Sequence, residues 1–231
     1  MYFVVHGLLQ GAALDKARML LSQARFGDGA MTARLGKTIK NNLEMQVGEP
    51  YLQLTDLLTQ AIDQCEEISE RVLPRFRVAP IINRFDSGMY YAEHIDIPVQ
   101  GMHTQFGRTP GRFGQSFVRS DLSMTLFLSS REEYDGGELE LRMGPHRELV
   151  KLQAGSAVLY STGIPHSVRQ VTRGSRVCAI YWFQSMIRDA SLRETIWDLH
   201  CLERKLQQSS HELAAEARSV RANLIRCFAE V

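Results

Sequence analysis

His94-Ile95-Asp96 is a short run whose side chains can bind a metal. If the segment is extended, residues at i and i+2 point to the same face, so an imidazole and a carboxylate converge. His166 can supply a third ligand. Two histidines and one carboxylate form the facial triad that suits non-heme Fe(II) and leaves adjacent coordination positions open. Arg176 lies a short strand beyond His166. Its planar, permanently charged guanidinium matches a carboxylate bidentately, which makes it the candidate for holding an anionic ligand. A lone His-x-Asp also occurs in surface loops, so the reading depends on the elements that position these residues.

Between and around the candidate ligands the chain reads as short strands separated by turns: Leu122-Ser123-Met124-Thr125-Leu126-Phe127-Leu128, Glu138-Leu139-Glu140-Leu141-Arg142, Gly155-Ser156-Ala157-Val158-Leu159-Tyr160, His166-Ser167-Val168 and Arg176-Val177-Cys178-Ala179-Ile180-Tyr181-Trp182-Phe183. Asp135-Gly136-Gly137 and Thr172-Arg173-Gly174-Ser175 carry the residues that tight hairpin turns require. Such regular spacing predicts a sandwich or barrel. On the last strand, Arg176, Cys178, Ile180 and Trp182 share one face and Val177, Ala179 and Tyr181 the other. Arg173 and Arg169 compete with Arg176 for the anion, but Arg173 falls in the predicted turn and Arg169 near the metal end of its strand.

Residues 81–183 resemble the core of the Fe(II)- and 2-oxoglutarate-dependent dioxygenases, in the prolyl- and lysyl-hydroxylase-like branch. The resemblance is carried by Asn83-Arg84-Phe85, by Gly88 through Asp96, by Asp121 through Leu128, by Tyr134-Asp135-Gly136-Gly137-Glu138-Leu139, by Gly155 through Tyr160, by His166-Ser167-Val168 and by Arg176. With the tail included, the chain is similar to the PKHD-type hydroxylases. The resemblance implies an α+β, mainly β fold: a double-stranded β-helix (jelly-roll) core with flanking N-terminal helices and a C-terminal helical extension. The expected divisions are 1–78 as strand and helix support, 79–186 as the catalytic core and 187–231 as the extension. His94, Asp96 and His166 are then the iron ligands and catalytic centre, and Arg176 the residue for 2-oxoglutarate. Fe(II), 2-oxoglutarate and O2 are the implied participants, with L-ascorbate as a candidate auxiliary. The implied reaction is hydroxylation of a peptidyl prolyl or lysyl residue or of a small molecule, linked to iron uptake in some bacterial relatives, with release of succinate and CO2. Asp96 favours hydroxylation over halogenation, because related halogenases lack this carboxylate.

Two positions depart from relatives. Phe85 stands where many prolyl-hydroxylase-like enzymes carry a tyrosine that contacts 2-oxoglutarate, and Cys178 stands where some branches pair the arginine with a serine. Tyr91, Thr125 or a water are candidates for the missing hydrogen bond. Immediately after the metal-binding run comes a long Gly- and Arg-rich insertion that contains His103, and Arg108, Arg112 and Phe113 within it are candidate substrate contacts in a lid.

Outside the core, Phe3 to Leu9 reads as an edge strand and Gly11 to Gln23 as a helix broken by Gly27-Asp28-Gly29. A loop rich in Gly, Lys and Asn leads to Pro50. Leu52, Leu54, Leu57, Leu58, Ala61, Ile62 and Cys65 then make an amphipathic stripe that ends at Pro74. Residues 191–231 read as two helices or one interrupted at Ser209-Ser210, with Leu192, Ile196, Leu199, Leu202 and Leu206 on one face, for packing or for homo-oligomer formation. Twenty-seven basic against 26 acidic residues leave no electrostatic footprint for nucleic acid or an anionic membrane. The four scattered cysteines and the absence of a signal-like start or long apolar run predict a cytoplasmic chain. Two other function classes remain open on residues alone: a non-catalytic metal- or 2-oxoglutarate-binding sensor, against which the intact triad and arginine argue, and a cupin-like isomerase, which has no need of Arg176.

Overall fold

The strand Val171–Ser185 organises the molecule. From Arg176 onward its side chains alternate between two buried environments. Arg176, Cys178, Ile180 and Trp182 line a cavity, whereas Val177, Ala179, Tyr181 and Phe183 enter the largest hydrophobic cluster. Branched and aromatic side chains suit a pleated surface covered on both faces. The computed structural model, which describes residues 2–29, 39–101, 103–104, 107–108 and 117–231, places this strand inside a nine-stranded antiparallel sheet.

Leu122–Phe127 flanks it on one side and Ile81–Asp86 on the other. Ala157–Ser161 and the edge strand Tyr2–Val5 extend the sheet beyond the first neighbour, and Leu43–Met45 and Phe26–Asp28 beyond the second. Tyr134–Gly136 and Pro74–Arg77 pair with the two ends of the long strand. A second, five-stranded sheet runs His146–Val150, Leu139–Met143, His166–Val168, Tyr90–His94, Lys40–Asn41. The two sheets face each other: Leu139, Leu141 and Val150 of the second pack with Phe127, Val158 and Tyr160 of the first. The cavity opens within the space they enclose.

Helices α1 (Gly11–Ser22) and α2 (Glu49–Asp63) cover the outer face of the large sheet. Their Ala17, Leu20, Leu54, Leu58 and Ile62 meet Met124, Leu126, Leu159, Ala179 and Tyr181. Each fully buried leucine there contributes roughly 1.5–3 kcal/mol relative to exposure. The hydroxyl of Tyr51, also in α2, donates to the Pro80 carbonyl at 2.8 Å and ties the helix to the start of Ile81–Asp86. The shorter α3 (Glu66–Val72) follows, and α4 (Ala190–Gln208) and α5 (Ala214–Phe228) form the C-terminal pair. Among the described residues no helix is long and apolar enough to cross a membrane.

Several local expectations are corrected. Thr172-Arg173-Gly174-Ser175 is not a turn: the strand runs through it, with Gly174 at φ +73° in contact range of the Glu133 carbonyl, and Arg173 pairs with Asp135 across from it. Gly27 and Asp28 belong to a strand rather than a break, and the loop before Pro50 contains Lys40–Asn41 and Leu43–Met45. The α2 stripe uses Tyr51 and leaves Leu52 exposed, because the buried face is Tyr51, Leu54, Leu58 and Ile62. The helix also stops at Asp63, and α3 intervenes before Pro74. In α4 the expected stripe is buried at Ile196 and half-buried at Leu192, Leu199 and Leu206, with Leu202 exposed, and the buried face also takes in Arg193, His200 and Glu203. Charge holds this pair of helices in place. Glu203 accepts from Arg218 at 2.7 Å and Arg221 at 3.2 Å, and Arg221 reaches Glu70 of α3 at 2.7 Å.

Candidate active site

His94 is the last residue of Tyr90–His94, and His166 the first of His166–Val168; the register sets the two directly opposite each other. Asp96 lies two residues past the strand end, and its amide donates to the Thr162 carbonyl at 3.4 Å. Ligand-capable atoms of His94, Asp96 and His166 all lie within 4.8 Å of one another. His166 Nε2 is 3.9 Å from Asp96 Oδ1, with both side chains over nine-tenths buried.

The rings are oriented by backbone. His94 Nδ1 is 2.9 Å from the Ala92 carbonyl and His166 Nδ1 is 2.9 Å from the Ile164 carbonyl. A ring nitrogen facing a carbonyl carries the proton, so each neutral imidazole keeps its lone pair on Nε2. Tyr91 stacks on His94 with ring centroids 3.8 Å apart, and Tyr160 meets His166 edge-on at 5.1 Å. Burial, reinforced by His166, lowers the His94 pKa to about 4, and burial lowers that of His166 as well. Both are neutral at neutral pH, the state that a metal ligand needs. Burial raises the Asp96 pKa, opposed by the Trp182 indole, the His94 ring and the Ser123 hydroxyl. Asp96 Oδ2 is a buried acceptor that makes no well-formed hydrogen bond among the described residues, the Trp182 and Ser123 donors standing near the carboxylate. Two imidazole lone pairs beside an unsatisfied carboxylate oxygen fit a divalent cation such as Fe(II).

The cavity, about 210 Å³, runs from these residues to Arg176. Its floor is the inward face of the large sheet, where Thr125 pairs with Ile180, Cys178 with Asn83 and Arg176 with Phe85. Arg176 is only 1% exposed. Its guanidinium lies between the rings of Phe85 and Phe127, 5.4 and 5.2 Å from their centroids. Nη1 donates to Cys178 Sγ at 2.9 Å, whereas Nε and Nη2 have no acceptor among the described residues. A buried guanidinium with two unmatched donor atoms fits a carboxylate. Arg169 and Arg173 are elsewhere: Arg169 donates to Glu140 at 2.7 Å, and Arg173 is exposed and donates to Asp135 at 2.6 Å.

Of the other candidates, Tyr91, Thr125 and Cys178 all line the cavity. Arg108 belongs to the short strand Gly107–Arg108, paired with His103–Thr104, while Arg112 and Phe113 lie outside the described residues. Sequence reading missed Lys40 and Asn83, which also line the cavity, and Tyr134 beside Arg176. Lys40 reaches the site by pairing with Tyr91 from the N-terminal region, a long-range contact without a local signal. Asn83 was signalled by its odd position on the strand that also carries Phe85.

Residues 80–184 match the model of the 2OG-Fe(II) oxygenase superfamily. Across its full length the chain is 33% identical to a PKHD-type hydroxylase of Gloeothece citriformis, with 100% of both chains covered. It is 35% identical to a PKHD-type hydroxylase of Gluconacetobacter diazotrophicus over 91% of this chain and 88% of that one. The crystal structure of a Pseudomonas putida prolyl-4-hydroxylase is similar in fold, with a TM-score of 0.52 at 19% identity over 79% of this chain and 92% of the other.

Proposed function

Because this chain belongs to the PKHD-type hydroxylases, within the 2OG-Fe(II) oxygenase superfamily, we propose that His94, Asp96 and His166 hold its iron and that Arg176 holds the distal carboxylate of 2-oxoglutarate. The protein is an Fe(II)- and 2-oxoglutarate-dependent dioxygenase. Bound iron and cosubstrate supply the oxidative chemistry, in which 2-oxoglutarate and O2 are consumed, succinate and CO2 are released and a substrate C–H bond becomes C–OH.

The observation that carries the residue assignment is the opposition of the cavity's two ends. Three ligand atoms within 4.8 Å of one another lie at one end, and a buried guanidinium with unmatched donors lies at the other. In this reading the Ala92 and Ile164 carbonyls fix the two rings with Nε2 forward, and Phe85 and Phe127 hold the guanidinium plane while excluding water from it. Preorganised groups of this kind need no rearrangement when a ligand arrives.

The fold we propose for 79–186 is the jelly roll, supported by the two facing antiparallel sheets, with 1–78 as support and 187–231 as the extension. For the substrate we propose a peptidyl prolyl or lysyl side chain, on the likeness to the Pseudomonas putida prolyl-4-hydroxylase. The test is anaerobic addition of Fe(II) and 2-oxoglutarate, which should give a weak visible charge-transfer band, followed by O2 and assay of succinate with and without Pro- and Lys-containing peptides. Peptide-independent succinate formation across the whole panel would reject the peptidyl substrate, and loss of neither band nor succinate in Asp96→Ala would reject the ligand set.

A further inference from the structure

Arg176, which lines the cavity, has a second unmatched donor beside it. The Tyr134 hydroxyl is buried beside Arg176 and has no hydrogen-bond partner among the described residues. Burial holds its pKa up at about 12, with the Arg176 charge pulling the other way, so the phenol is neutral and keeps its proton to donate. Arg176 can donate but never accept. The Tyr134 oxygen can accept from the guanidinium beside it, but the guanidinium cannot accept in return, so the Tyr134 O–H proton and the remaining Arg176 N–H groups have no acceptor among the described residues. Leaving such groups buried and unmatched is unfavourable, so a ligand that accepts from them is favoured.

The backbone is shaped to bring them together. Tyr134 pairs with Gly174, two residues before Arg176, in the strand extension that replaces the expected turn. Gly137 has φ +66°, and a Cβ there would lie 3.1 Å from Tyr134 Cε2 and 3.2 Å from Arg176 Cδ. Only glycine lets the two side chains close on each other at that point. Lys151 Nζ donates to the Tyr134 carbonyl at 2.8 Å and stands 4.3 Å from its ring centroid, which fixes the residue from behind. Phe85, which packs in the same cluster as Tyr134 and lies 5.4 Å from the guanidinium, has no hydroxyl to offer.

We propose that Tyr134 is the second donor to the distal carboxylate of 2-oxoglutarate, so that the hydroxyl absent at Phe85 is supplied from the Tyr134–Gly136 strand. The proposal rests on the assignment of that carboxylate to Arg176. Tyr134 then sets cosubstrate selectivity: a 2-oxo acid with a second carboxylate gains from it, and one with an alkyl end does not.

The test compares Tyr134→Phe, which keeps the ring and its packing, with the unaltered protein. Binding of 2-oxoglutarate and of 2-oxovalerate to the Fe(II)-loaded protein is measured anaerobically by calorimetry. Both ligands offer the same 2-oxo acid head, but only the first has a distal carboxylate. Tyr134→Phe is expected to weaken 2-oxoglutarate binding roughly tenfold or more, the value of a hydrogen bond to a charged group, and to leave 2-oxovalerate unchanged. Equal weakening of both ligands would make Tyr134 a packing residue only, and no change in either would place the carboxylate out of its reach; both overturn the proposal. Arg176→Met is run alongside. If it keeps full preference for 2-oxoglutarate, the Arg176 assignment itself has failed, a result distinct from failure of Tyr134 alone.

Discussion

The two ends of the cavity are built from opposite halves of the hydrogen-bonding inventory. At the end formed by His94, Asp96 and His166, ring orientation and a buried carboxylate present lone pairs, and Asp96 Oδ2 makes no well-formed hydrogen bond among the described residues. At the other end, Arg176 Nε and Nη2 and the Tyr134 O–H have no acceptor among the described residues. At the first end the unmatched carboxylate oxygen stands beside two imidazole lone pairs, with the Trp182 and Ser123 donors near the same carboxylate, whereas around Arg176 the unmatched atoms are donors. A cation completes the first and an anion the second. This pairing, more than either residue set alone, supports the proposal of a metal together with a ligand that carries negative charge away from it.

The largest expected effect comes from breaking the acceptor end. Asp96→Ala removes the only carboxylate of the ligand set. It should abolish succinate formation, a loss of at least about a thousandfold, and sharply weaken Fe(II) binding in a calorimetric titration. Full turnover in this variant would remove the comparison's first half.

Breaking the donor end should be nearly as severe for the cosubstrate and silent for the metal. Arg176→Met keeps much of the side-chain volume but deletes the charge. Removing one partner of a buried charge pair costs roughly 3–5 kcal/mol, so 2-oxoglutarate affinity should fall on the order of a hundredfold or more. Iron affinity should change little. Arg173→Met is the control, since Arg173 is exposed and paired with Asp135. If Arg173→Met weakens 2-oxoglutarate binding and Arg176→Met does not, the donor end has been placed on the wrong arginine.

How far these ends could be read from sequence differs for definite reasons. The period of two along a strand was enough to put Arg176, Cys178, Ile180 and Trp182 on one face, because from Arg176 to Phe183 one face lines the cavity and the other enters the core, so no slip of register is tolerated. The pairing of His166 with His94 was not readable, since it is a cross-strand contact between segments far apart in the chain. Tyr134 was hidden for a related reason: Gly174, which looks like a turn residue, sits at positive φ inside a continuous strand and carries that strand past Tyr134. In α4 the apolar stripe found Ile196 but not Arg193, His200 and Glu203, whose burial depends on polar partners that hydropathy does not report.

Acid should separate the two ends more gently. His94 and His166 have pKa values below the ordinary 6.5, His94 at about 4, so the unfolded chain binds more protons than the folded one between those limits. Their contribution to stability is therefore complete above about pH 6.5 and is lost as pH falls toward 4. Asp96, raised above 3.8, acts in the opposite direction, favouring the folded state at low pH and losing that contribution as pH rises through its folded pKa. In the metal-free protein, His94→Gln should flatten the fall in melting temperature between pH 6.5 and 4 by a few degrees. Arg176→Met should leave that slope alone. An unchanged slope in His94→Gln would mean that the ring is not held neutral by its burial.

The smallest effect is expected at Cys178, and its size discriminates between two states of the donor end. Arg176 Nη1 donates to Cys178 Sγ at 2.9 Å, a contact that a thiol or a thiolate could accept. Burial pushes the thiol pKa up, while Arg176 pulls it down, and the net direction is up. The sulfur is therefore a neutral, weak acceptor at neutral pH and does not compete with a carboxylate for the guanidinium charge. Cys178→Ser keeps an acceptor in the same place, so 2-oxoglutarate affinity should change by no more than about threefold, well under the effect of losing one charge-assisted hydrogen bond. Affinity should also be flat between about pH 7 and 8.5, the range in which an ordinary thiol would begin to ionise. A thiolate would behave in the opposite way. It would neutralise Arg176, and replacing it with serine would raise 2-oxoglutarate affinity by tenfold or more. Such a rise, measured by anaerobic calorimetry with Fe(II) bound, would show that the end described as donors only carries an internal anion, and the opposition between the two ends would have to be redrawn.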